Sequence, residues 1–344
     1  MIDSQIATME KESSQMEDRE TLLTIDDLYV EYTTNDEAVK AVNGVSFSLK
    51  RGETLGLVGE TGAGKTTIAK AILRILPNPP AKVASGTIVF DNTDLRDLSE
   101  VQMRKIRGRE ISMIFQDPMT ALNPVMSVGK QIAEAVQVHR KCSWNEAEKE
   151  AKKALELVGI PEDRYHEYPH QFSGGMKQRV VIAIALSCNP DLLIADEPTT
   201  ALDVTIQAQV LNLIYELQKK NKMAMILITH DLGIVAETCD KVAVVYAGEI
   251  VEYGTLRQVF KKPLHPYTIG LFGAIPSLTG DVGRLHNIEG MPCDPTHLPN
   301  GCKFAPRCKF AKEICKQNAD VPLKDVGDGH LCRCYYPESS KGEN

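Results

Sequence analysis

The sequence contains no apolar run that approaches the length of a membrane-spanning helix. An apolar stretch such as MAMILI at residues 223–228 is far shorter than the roughly 20 residues that a span needs, and it suits a strand buried in a parallel sheet. A spanning helix is therefore excluded. Peripheral attachment to a membrane is not excluded, because it needs no apolar span.

The first residues also lack the features of a secretory signal. Residues 1–20 carry six acidic residues against two basic ones and have no apolar core. Segments of this composition cannot bury enough apolar surface to fold. We expect residues 1–21 to form a disordered acidic leader.

Basic residues are too few for a general nucleic-acid binder. The chain has 39 Lys and Arg against 46 Asp and Glu, a net charge of −7, whereas contacts to nucleic-acid phosphates need a basic surface. We expect no nucleic-acid partner. The hydrophobic fraction of 43% is ordinary for a globular protein, and neither an internal repeat nor a low-complexity tract is visible.

Short apolar segments alternate with helical patterns from residue 22 onward. Strand-like segments are LLTIDDLYVEY, AVNGVSFSLK, TLGLVGE, GTIVF (86–90), ISMIF (111–115), DLLIADE (191–197) and MAMILITH (223–230). Helical spacing marks residues 65–76, 128–159, 176–187 and 205–220. This order predicts an α/β fold with a mostly parallel, doubly wound sheet.

The composition and hydrophobic periodicity of the sequence change near residue 261. KKPLHPYTIGLFGAIPSLTG is rich in Pro and Gly, and the residues after it have weak periodicity and contain most of the cysteines. A change of this kind is typical of a domain boundary. We place the boundary at about residue 260, with a small Cys-rich C-terminal domain at 261–344.

A glycine-rich segment with a lysine and a threonine follows the predicted strand TLGLV. GETGAGKTT fits G-x-x-x-x-G-K-[ST]. The glycines let backbone N–H groups curl around phosphate oxygens, and the following helix directs its positive dipole end at the same charge. Lys65 is expected to reach the β- and γ-phosphates, and the Thr66 hydroxyl to ligate Mg²⁺. The expected nucleotide-binding residues are Gly59, Glu60, Thr61, Gly62, Ala63, Gly64, Lys65, Thr66 and Thr67.

Two acidic residues end the apolar strand in LLIADEP. Ligands bind at the carboxyl ends of strands in open α/β sheets. We expect Asp196 to hold the Mg²⁺ shell through water and Glu197 to orient or polarise the water that attacks the γ-phosphate. A strand that merely runs into a solvated acidic turn is the alternative.

Further motifs follow in an order that resembles the ABC-type ATPases. FSGGMKQR (172–179) resembles their signature motif and TTALD (199–203) their D-loop. Gln116 in FQDP is similar to the Q-loop glutamine, and His230 in LITHD to the switch histidine. The resemblance covers roughly residues 22–260 and rests on six motifs in the family's order.

The resemblance implies a P-loop ABC nucleotide-binding domain at residues 22–260. It would have a RecA-like core, an antiparallel β subdomain and an α-helical subdomain at about residues 117–178. It also implies that two subunits sandwich two ATP molecules head to tail. Ser173, Gly174 and Gly175 suit such a dimer, because a hydroxyl and bare amides before a helix can meet the phosphate of a partner's nucleotide.

The resemblance assigns roles to four further residues. His230 would hydrogen-bond the γ-phosphate, and Gln116 would contact Mg²⁺ or water and report to a neighbouring subunit. Asp203 closes the D-loop motif and belongs to the same nucleotide site. Tyr32 falls where the family places an aromatic residue that stacks on adenine, with Tyr29 nearby. Taken alone, His230 could be a core histidine and Tyr32 a plain strand aromatic.

Details of the motifs point to one subgroup of importers. Phe172 stands where Leu is commoner and Met176 where Gln is commoner, and FSGGM followed by Lys, then QR, resembles the subgroup that serves oligopeptide, dipeptide and nickel import. DEPTTALDVTIQAQVLNLI and HPYTIGLFGAIP are similar to the same subgroup. A soluble ABC ATPase of translation or DNA repair is disfavoured, because one cassette and no heptad run are present.

The subgroup implies an assembly at the cytoplasmic face of a bacterial membrane. Its members would be a related, non-identical ATPase subunit, two transmembrane permease subunits and an extracytoplasmic peptide-binding protein. The segment DPMTALNPVMSVG after Gln116 is the expected contact with a permease. The cargo, peptide or nickel, cannot be read from an ATPase subunit.

The tail of the chain is rich in cysteine. Six of the nine cysteines lie in the last 52 residues. GCKFAPRCKFAKEIC followed by CYYP resembles the tail of the same subgroup, which selects Cys302, Cys308, Cys315 and Cys334 with the spacing C-x5-C-x6-C-x18-C. Cys332 could compete with Cys334 for the fourth place.

Four thiolates can hold a [4Fe–4S] cluster or Zn²⁺. The wide spacings lack the paired C-x2–4-C knuckles of structural zinc sites, which favours the cluster. Free thiols and disulfides remain alternatives, the latter disfavoured in a reducing cytosol. The cluster would act as a structural staple or, on a third interpretation of the protein, as a redox module. We expect Cys142, Cys188 and Cys239 to be core thiols, and Cys293 has no assignment.

Overall fold

A computed structural model of the chain describes residues 19–34, 37–199, 203–273, 288–317 and 321–337. These residues form two compact units. The first comprises the described residues up to Leu49, Thr54–Arg96 and those from Thr229 onward, and the second comprises Lys50–Glu53 and Asp97–Ile228. Residues 1–18 of the expected leader lie outside the described ranges. The domain boundary near residue 260 stays a prediction.

The strands within these ranges include short and long elements. They are β1 (Thr21–Thr34), β2 (Glu37–Lys50), β3 (Thr54–Val58), β4 (Ala81–Phe90), β5 (Thr93–Asp94), β6 (Ile111–Ile114), β7 (Leu192–Asp196), β8 (Ala224–Ile228), β9 (Lys241–Tyr246), β10 (Glu249–Thr255), β11 (Lys324–Asp325) and β12 (Leu331–Cys332).

Within the described residues, the α-helices are accompanied by three short 3₁₀ turns at Glu162–His166, Pro169–Gln171 and Ala305–Arg307. They are α1 (Lys65–Ile72), α2 (Glu100–Ile106), α3 (Pro118–Ala121), α4 (Val128–Arg140), α5 (Trp144–Leu157), α6 (Gly174–Leu186), α7 (Val204–Asn221), α8 (Leu232–Thr238), α9 (Leu256–Lys261), α10 (Pro266–Gly273) and α11 (Glu313–Gln317). None of the helices in the described ranges combines the length and apolar character needed to cross a membrane.

The first unit contains an antiparallel sheet and a mixed set of strands. The antiparallel sheet has the order β2-β1-β4-β5, with Leu23 opposite Phe90. The mixed strands run in the order β11-β12-β10-β9-β3, in which β3 lies parallel to β9. Every residue of β3 is buried, as expected for a parallel strand covered on both faces.

The second unit contains three parallel strands in the order β6-β7-β8. Ile111 lies opposite Leu192, and Leu192 lies opposite Ala224. All residues of the three strands are buried. The parallel α/β arrangement that the alternating pattern predicts is therefore present here, and the carboxyl ends of the three strands lie at one edge.

The helices α4 to α6 of the second unit pack around an apolar core. This core contains Val128, Ile132, Val136, Ala151, Leu155, Tyr165, Val180 and Ile182, each no more than 1% exposed. The helix predicted over 128–159 is two helices, because Lys141 takes a left-handed conformation (φ 51°) and Ser143 starts a new helix. The Ser143 hydroxyl accepts the Glu146 N–H at 3.3 Å, and the Glu146 carboxylate accepts the Ser143 N–H at 2.9 Å, a capping box.

Candidate functional site

The glycines of the loop at residues 59–67 are required by its backbone. Gly59 has φ 151° and Gly64 has φ 102°. A Cβ on Gly59 would lie 2.1 Å from the Val245 carbonyl oxygen, and a Cβ on Gly64 would lie 2.4 Å from that of Ala41. A larger residue would be strained at both positions and would clash with the backbone. The motif therefore reflects the packing of the loop as well as its expected ligand.

Lys65 begins α1 and turns its ammonium group back into the loop. Its Nζ donates to the carbonyl oxygens of Gly59 at 2.7 Å and Glu60 at 2.9 Å, and the residue is only 5% exposed. Thr61 and Gly62 at the tip of the loop are exposed. An anion at this helix start would meet backbone N–H groups and a buried cation.

Tyr32 on β1 lies close to this loop. Its hydroxyl is 3.5 Å from the Thr67 hydroxyl, and the side chain is half-buried. Tyr29 points elsewhere, since its hydroxyl would lie 2.9 Å from a Cβ on Gly44. Of the two aromatic residues considered, Tyr32 is the one beside the loop.

His230 is exposed, so the alternative of a core histidine does not hold. The next residue, Asp231, caps α8: its carboxylate accepts N–H groups from Gly233 at 2.9 Å and Ile234 at 3.3 Å. The cap fixes the backbone immediately after His230.

The second unit brings together two predicted residues that lie far apart in the sequence. The Gln116 side-chain amide donates to the Glu197 carboxylate at 2.8 Å. Glu197 has φ 45°, a conformation that a non-glycine residue adopts rarely and at a cost, and its N–H donates to the Ile228 carbonyl at 2.8 Å. Asp196, the last residue of β7, is only 2% exposed. A strained backbone position therefore presents the acid beside an amide.

The signature segment begins α6 and is anchored to the turn after the acidic pair. Ser173 caps the helix and accepts the Met176 N–H at 3.4 Å, while Ser173 and Gly174 are exposed. The Gln178 side chain is buried and donates to the Pro198 carbonyl at 2.6 Å. A Cβ on Gly175 would lie 2.5 Å from the Ile206 Cγ2, so glycine allows α6 to approach α7 closely.

Asp203 is exposed and stands at the start of α7. Residues 200–202 of the expected D-loop lie outside the described residues.

The four cysteines selected from the tail line one pocket in the first unit. The lining residues are Cys302, Cys308, Cys315, Cys334, His265, Pro266, Phe304, Ala305, Phe310, Ala311, Val321, Tyr335 and Tyr336. Cys332, the competing residue, is fully buried in β12 opposite Glu252. In the part of the chain that the structure describes, no group of three or more His, Cys, Asp or Glu could hold a metal ion.

Burial shifts the thiols of Cys302, Cys308 and Cys334 toward their neutral form. It raises the pKa of Cys302 to about 12 and also raises the pKa of Cys308 and Cys334. A cation bound there would have to displace the thiol protons.

Comparison with known proteins identifies the family. The ABC transporter family model matches residues 42–200, and the model described as oligopeptide/dipeptide transporter, C-terminal region, matches residues 251–315. The dipeptide transport ATP-binding protein DppD of Bacillus subtilis is 53% identical over 92% of this chain and 95% of its own length. The chain belongs to this family of ABC transporter ATPases.

Further relatives and solved structures agree with this assignment. The oligopeptide transport ATP-binding protein OppD of Haemophilus influenzae is 50% identical over 91% of this ABC ATPase and 97% of its own length. A dimeric ATP-binding cassette, MJ0796, solved in a post-hydrolysis state with ADP and Pi, superposes with a TM-score of 0.62 at 27% identity, covering 69% of this chain and 99% of that one. For cbiO1 from Clostridium perfringens the TM-score is 0.61 at 33% identity, covering 70% and 91%. The predicted ABC fold is confirmed.

Sequence reasoning missed two groups of contacts in this ABC ATPase. Arg307 forms an ion pair with Glu60, 247 positions away, and no local pattern announces it. Glu252 is fully buried and accepts the N–H groups of Leu264 and His265, each at 2.9 Å, and Nε2 of His330 at 2.8 Å. The second glutamate of the strand EIVEYG, between apolar residues, was the available signal for this second group.

Proposed function

We propose that this ABC ATPase hydrolyses ATP to drive the import of dipeptides or oligopeptides across the cytoplasmic membrane of a bacterium. The observation that carries the proposal is the likeness to named peptide-transport ATP-binding proteins over more than nine-tenths of the chain. The match of residues 251–315 to the C-terminal region of such transporters supports it.

We assign ATP binding to the loop at residues 59–67. Lys65 neutralises charge on the β- and γ-phosphates, and Thr66 together with Gln116 ligates Mg²⁺. Tyr32 stacks on adenine. The buried Lys65 ammonium group and the exposed tip of the loop support this assignment.

We assign the hydrolytic step to Glu197, which orients the attacking water, with Asp196 holding the Mg²⁺ shell. His230 contacts the γ-phosphate. The 2.8 Å bond from Gln116 supports the assignment, because it holds the Glu197 carboxylate in one orientation. A carboxylate so placed can accept a proton from water as the bond to phosphorus forms.

We further propose that ATP is sandwiched between this chain and a paralogous ATPase subunit. Ser173, Gly174 and Gly175 would contact the partner's nucleotide, with Asp203 at the same junction. The exposure of Ser173 and Gly174 at the start of α6 supports this, as does the likeness to a cassette solved as a dimer.

The remaining partners would be two permease subunits and an extracytoplasmic peptide-binding protein, with this chain at the cytoplasmic face of the membrane. The segment from Asp117 to Gly129 is the proposed permease contact. Val125 in this segment is 83% exposed, so its apolar side chain is available for contact with a permease.

The function is tested with the importer assembled in proteoliposomes from this chain, its partner ATPase and the permeases, with the binding protein added. ATP-dependent uptake of a labelled dipeptide is expected. Glu197→Gln should abolish uptake and hydrolysis while the variant still binds ATP. Asp191→Asn is the matched control, since its 54%-exposed carboxylate pairs with Arg51 beyond the other end of the same strand. Uptake of nickel without peptide would contradict the peptide assignment.

We propose that Cys302, Cys308, Cys315 and Cys334 hold a [4Fe–4S] cluster. The support for this proposal is that the four cysteines line one pocket and that thiolates are the usual ligands of such clusters. The wide spacings of the four cysteines lack the paired C-x2–4-C knuckles of structural zinc sites, which favours the cluster over Zn²⁺. When bound, the cluster would cross-link the tail.

Iron, sulfide and the visible spectrum of protein purified without oxygen test the cluster. About four irons per chain and a brown colour are expected. Cys302→Ser should lower the iron content and loosen the tail, as judged by its proteolysis. Cys188→Ser, outside the pocket, should retain both iron and a compact tail. A colourless protein with one zinc per chain would contradict the cluster, and normal folding with redox-dependent transport would favour the redox interpretation over the staple.

A further inference from the structure

Arg307, in the cysteine-rich region, forms an ion pair with Glu60. Glu60 is the second residue of the loop at residues 59–67, which we call the phosphate loop. Arg307 donates from Nη1 to Oε2 of Glu60 at 2.7 Å and from Nη2 to Oε1 at 3.0 Å. This is the parallel two-bond geometry that matches a guanidinium to a carboxylate. The Arg307 side chain is only 5% exposed and that of Glu60 27%, so solvent screens the pair weakly.

The guanidinium is itself held from several directions. Its Nε donates to the Glu289 carbonyl at 3.2 Å, and Nη1 approaches the Tyr246 hydroxyl at 3.4 Å. The group also lies 5.8 Å from the ring centre of Tyr246 and 5.9 Å from that of Phe304. Arg307 therefore has little freedom to follow Glu60 if the loop moves.

A second contact fixes the backbone of the same loop residue. The Glu60 N–H donates to the Tyr267 hydroxyl at 2.9 Å. Tyr267 is fully buried, and its ring packs 4.7 Å from that of Tyr246 and 5.4 Å from that of Phe304, measured between ring centres. The Glu60 carbonyl accepts from Lys65 and from the Ala63 N–H, so every polar group of Glu60 has a partner. Two of its partners, Arg307 and Tyr267, lie beyond the predicted domain boundary.

We propose that Arg307 and Tyr267 are positioning residues for nucleotide binding: they hold the phosphate loop in its binding shape from the C-terminal region. The proposal rests on the proposed function, in which residues 59–67 bind the phosphates. A loop ordered before the ligand arrives loses less conformational entropy on binding. Without the two contacts, part of the binding free energy is spent on ordering Glu60 and its neighbours.

A positioning role differs from a structural one in what it changes. Loss of either contact should weaken ATP binding, while turnover at saturating ATP should change little, because the loop reaches the same shape once ATP is bound. A purely structural tie would lower the melting temperature and leave the affinity of the folded protein unchanged. Affinity measured beside the melting temperature separates the two.

The test measures the Kd for a fluorescent, non-hydrolysable ATP analogue and kcat at saturating ATP in the full-length protein. Arg307→Lys keeps the positive charge but cannot form the two parallel hydrogen bonds to the Glu60 carboxylate. It should raise Kd about tenfold. Glu60→Gln should do the same, and the double variant should be no worse than either single one, because both remove one interaction. Tyr267→Phe should raise Kd several-fold.

The matched control variants carry the same types of substitution at residues that do not contact the phosphate loop. Arg333→Lys alters another arginine of the tail that donates to backbone carbonyls of Ile250 and Val321. Tyr253→Phe removes a hydroxyl that donates to the Ser48 carbonyl at 3.3 Å. Both should bind the analogue as the wild type does. Equal loss of affinity in Arg333→Lys and Arg307→Lys would mean a general loosening of the tail and would overturn the proposal.

Wild-type affinity in folded Arg307→Lys, or additive losses in the double variant, would also overturn it. If Arg307→Lys yields no folded protein, Glu60→Gln and Tyr267→Phe decide the question by the same measurement. Failure of the proposed function has a different signature: the wild-type chain would not bind the analogue, or Lys65→Ala would bind it unchanged.

Discussion

At the scale of single residues, the phosphate loop depends on Gly59, Gly64 and the inward-turned Lys65. The motif predicts glycine at positions 59 and 64, and the structure gives the reason: each lies against a backbone carbonyl with a positive φ. It also predicts a lysine aimed at the loop, and Lys65 turns inward. Such a motif can be recognised because its residue types and spacing lie within nine consecutive positions, even though the carbonyls behind Gly59 and Gly64 belong to distant segments.

The contact of Glu60 could not be predicted from the local sequence. The motif accepts any residue at position 60, and no nearby pattern indicates that Arg307 is its partner. Pairing across 247 positions is decided by packing in three dimensions, which a single sequence does not display. The same holds for the bond between Gln116 and Glu197, whose separate motifs were found but whose contact was not.

The first prediction concerns Lys65. Lys65→Ala should reduce ATP binding or turnover by tenfold or more, because it removes the buried charge that neutralises the phosphates. Steady-state ATPase assays and analogue titration check this. Lys70→Ala, on the same helix, is the control and should behave as wild type. Undiminished activity in Lys65→Ala would contradict the assignment of the loop.

At the scale of elements, the apolar patterns predict the strands well and the helix ends less well. β3, β7 and β8 fall within two or three residues of their expected limits, because parallel strands buried on both faces read as continuous apolar runs. The helix expected over 65–76 ends at Ile72, since Arg74 takes φ 51°. A single left-handed residue leaves no periodic signal.

The capping box at Ser143 gives the second prediction. Ser143→Ala should lower the free energy of unfolding by about 1 kcal/mol, because the Glu146 N–H loses its acceptor at the start of α5. Urea unfolding followed by fluorescence of Trp144, the single tryptophan and the first residue of that helix, checks this. Lys149→Ala, exposed on the same helix, should change stability by less than about 0.5 kcal/mol. Equal effects of the two substitutions would contradict the role of the cap.

At the scale of the whole molecule, the fold class and family could be predicted from the sequence, but the packing of the C-terminal tail could not. Ordered motifs identify an ABC ATPase because their chemistry recurs in one order along the chain. The tail has little apolar periodicity, so its position depends on isolated polar contacts such as those of buried Glu252 with His265 and His330. Such contacts become visible only after folding.

The third prediction is a loss of stability in mild acid. Burial lowers the pKa of His265 to about 4 from 6.5, against the opposing charge of Glu252 and with help from Arg333. Below pH 6.5 the unfolded chain therefore binds a proton that the folded chain refuses until about pH 4. The free energy of unfolding therefore has its full value above pH 6.5. It decreases by on the order of 3 kcal/mol as the pH falls from 6.5 to about 4.

Melting temperatures measured between pH 4 and pH 7 test this behaviour. His265→Asn, which keeps an acceptor for the Tyr267 N–H bound by Nδ1 at 3.1 Å, should show a shallower decline than the wild type. His297→Asn, at a side chain that is 75% exposed, should follow the wild-type curve. Parallel curves for all three proteins would contradict the assigned role of His265.

The grip of Arg307 on Glu60 also bears on how this protein can be shortened. A minimal cassette obtained by trimming the chain after α10 would lose the guanidinium and the carbonyl of Glu289 that steadies it. The trimmed molecule would keep every sequence motif of an ATPase while Glu60 faced water. The affinity for ATP measured on such a fragment would therefore be lower than that of the full-length subunit in the assembled importer.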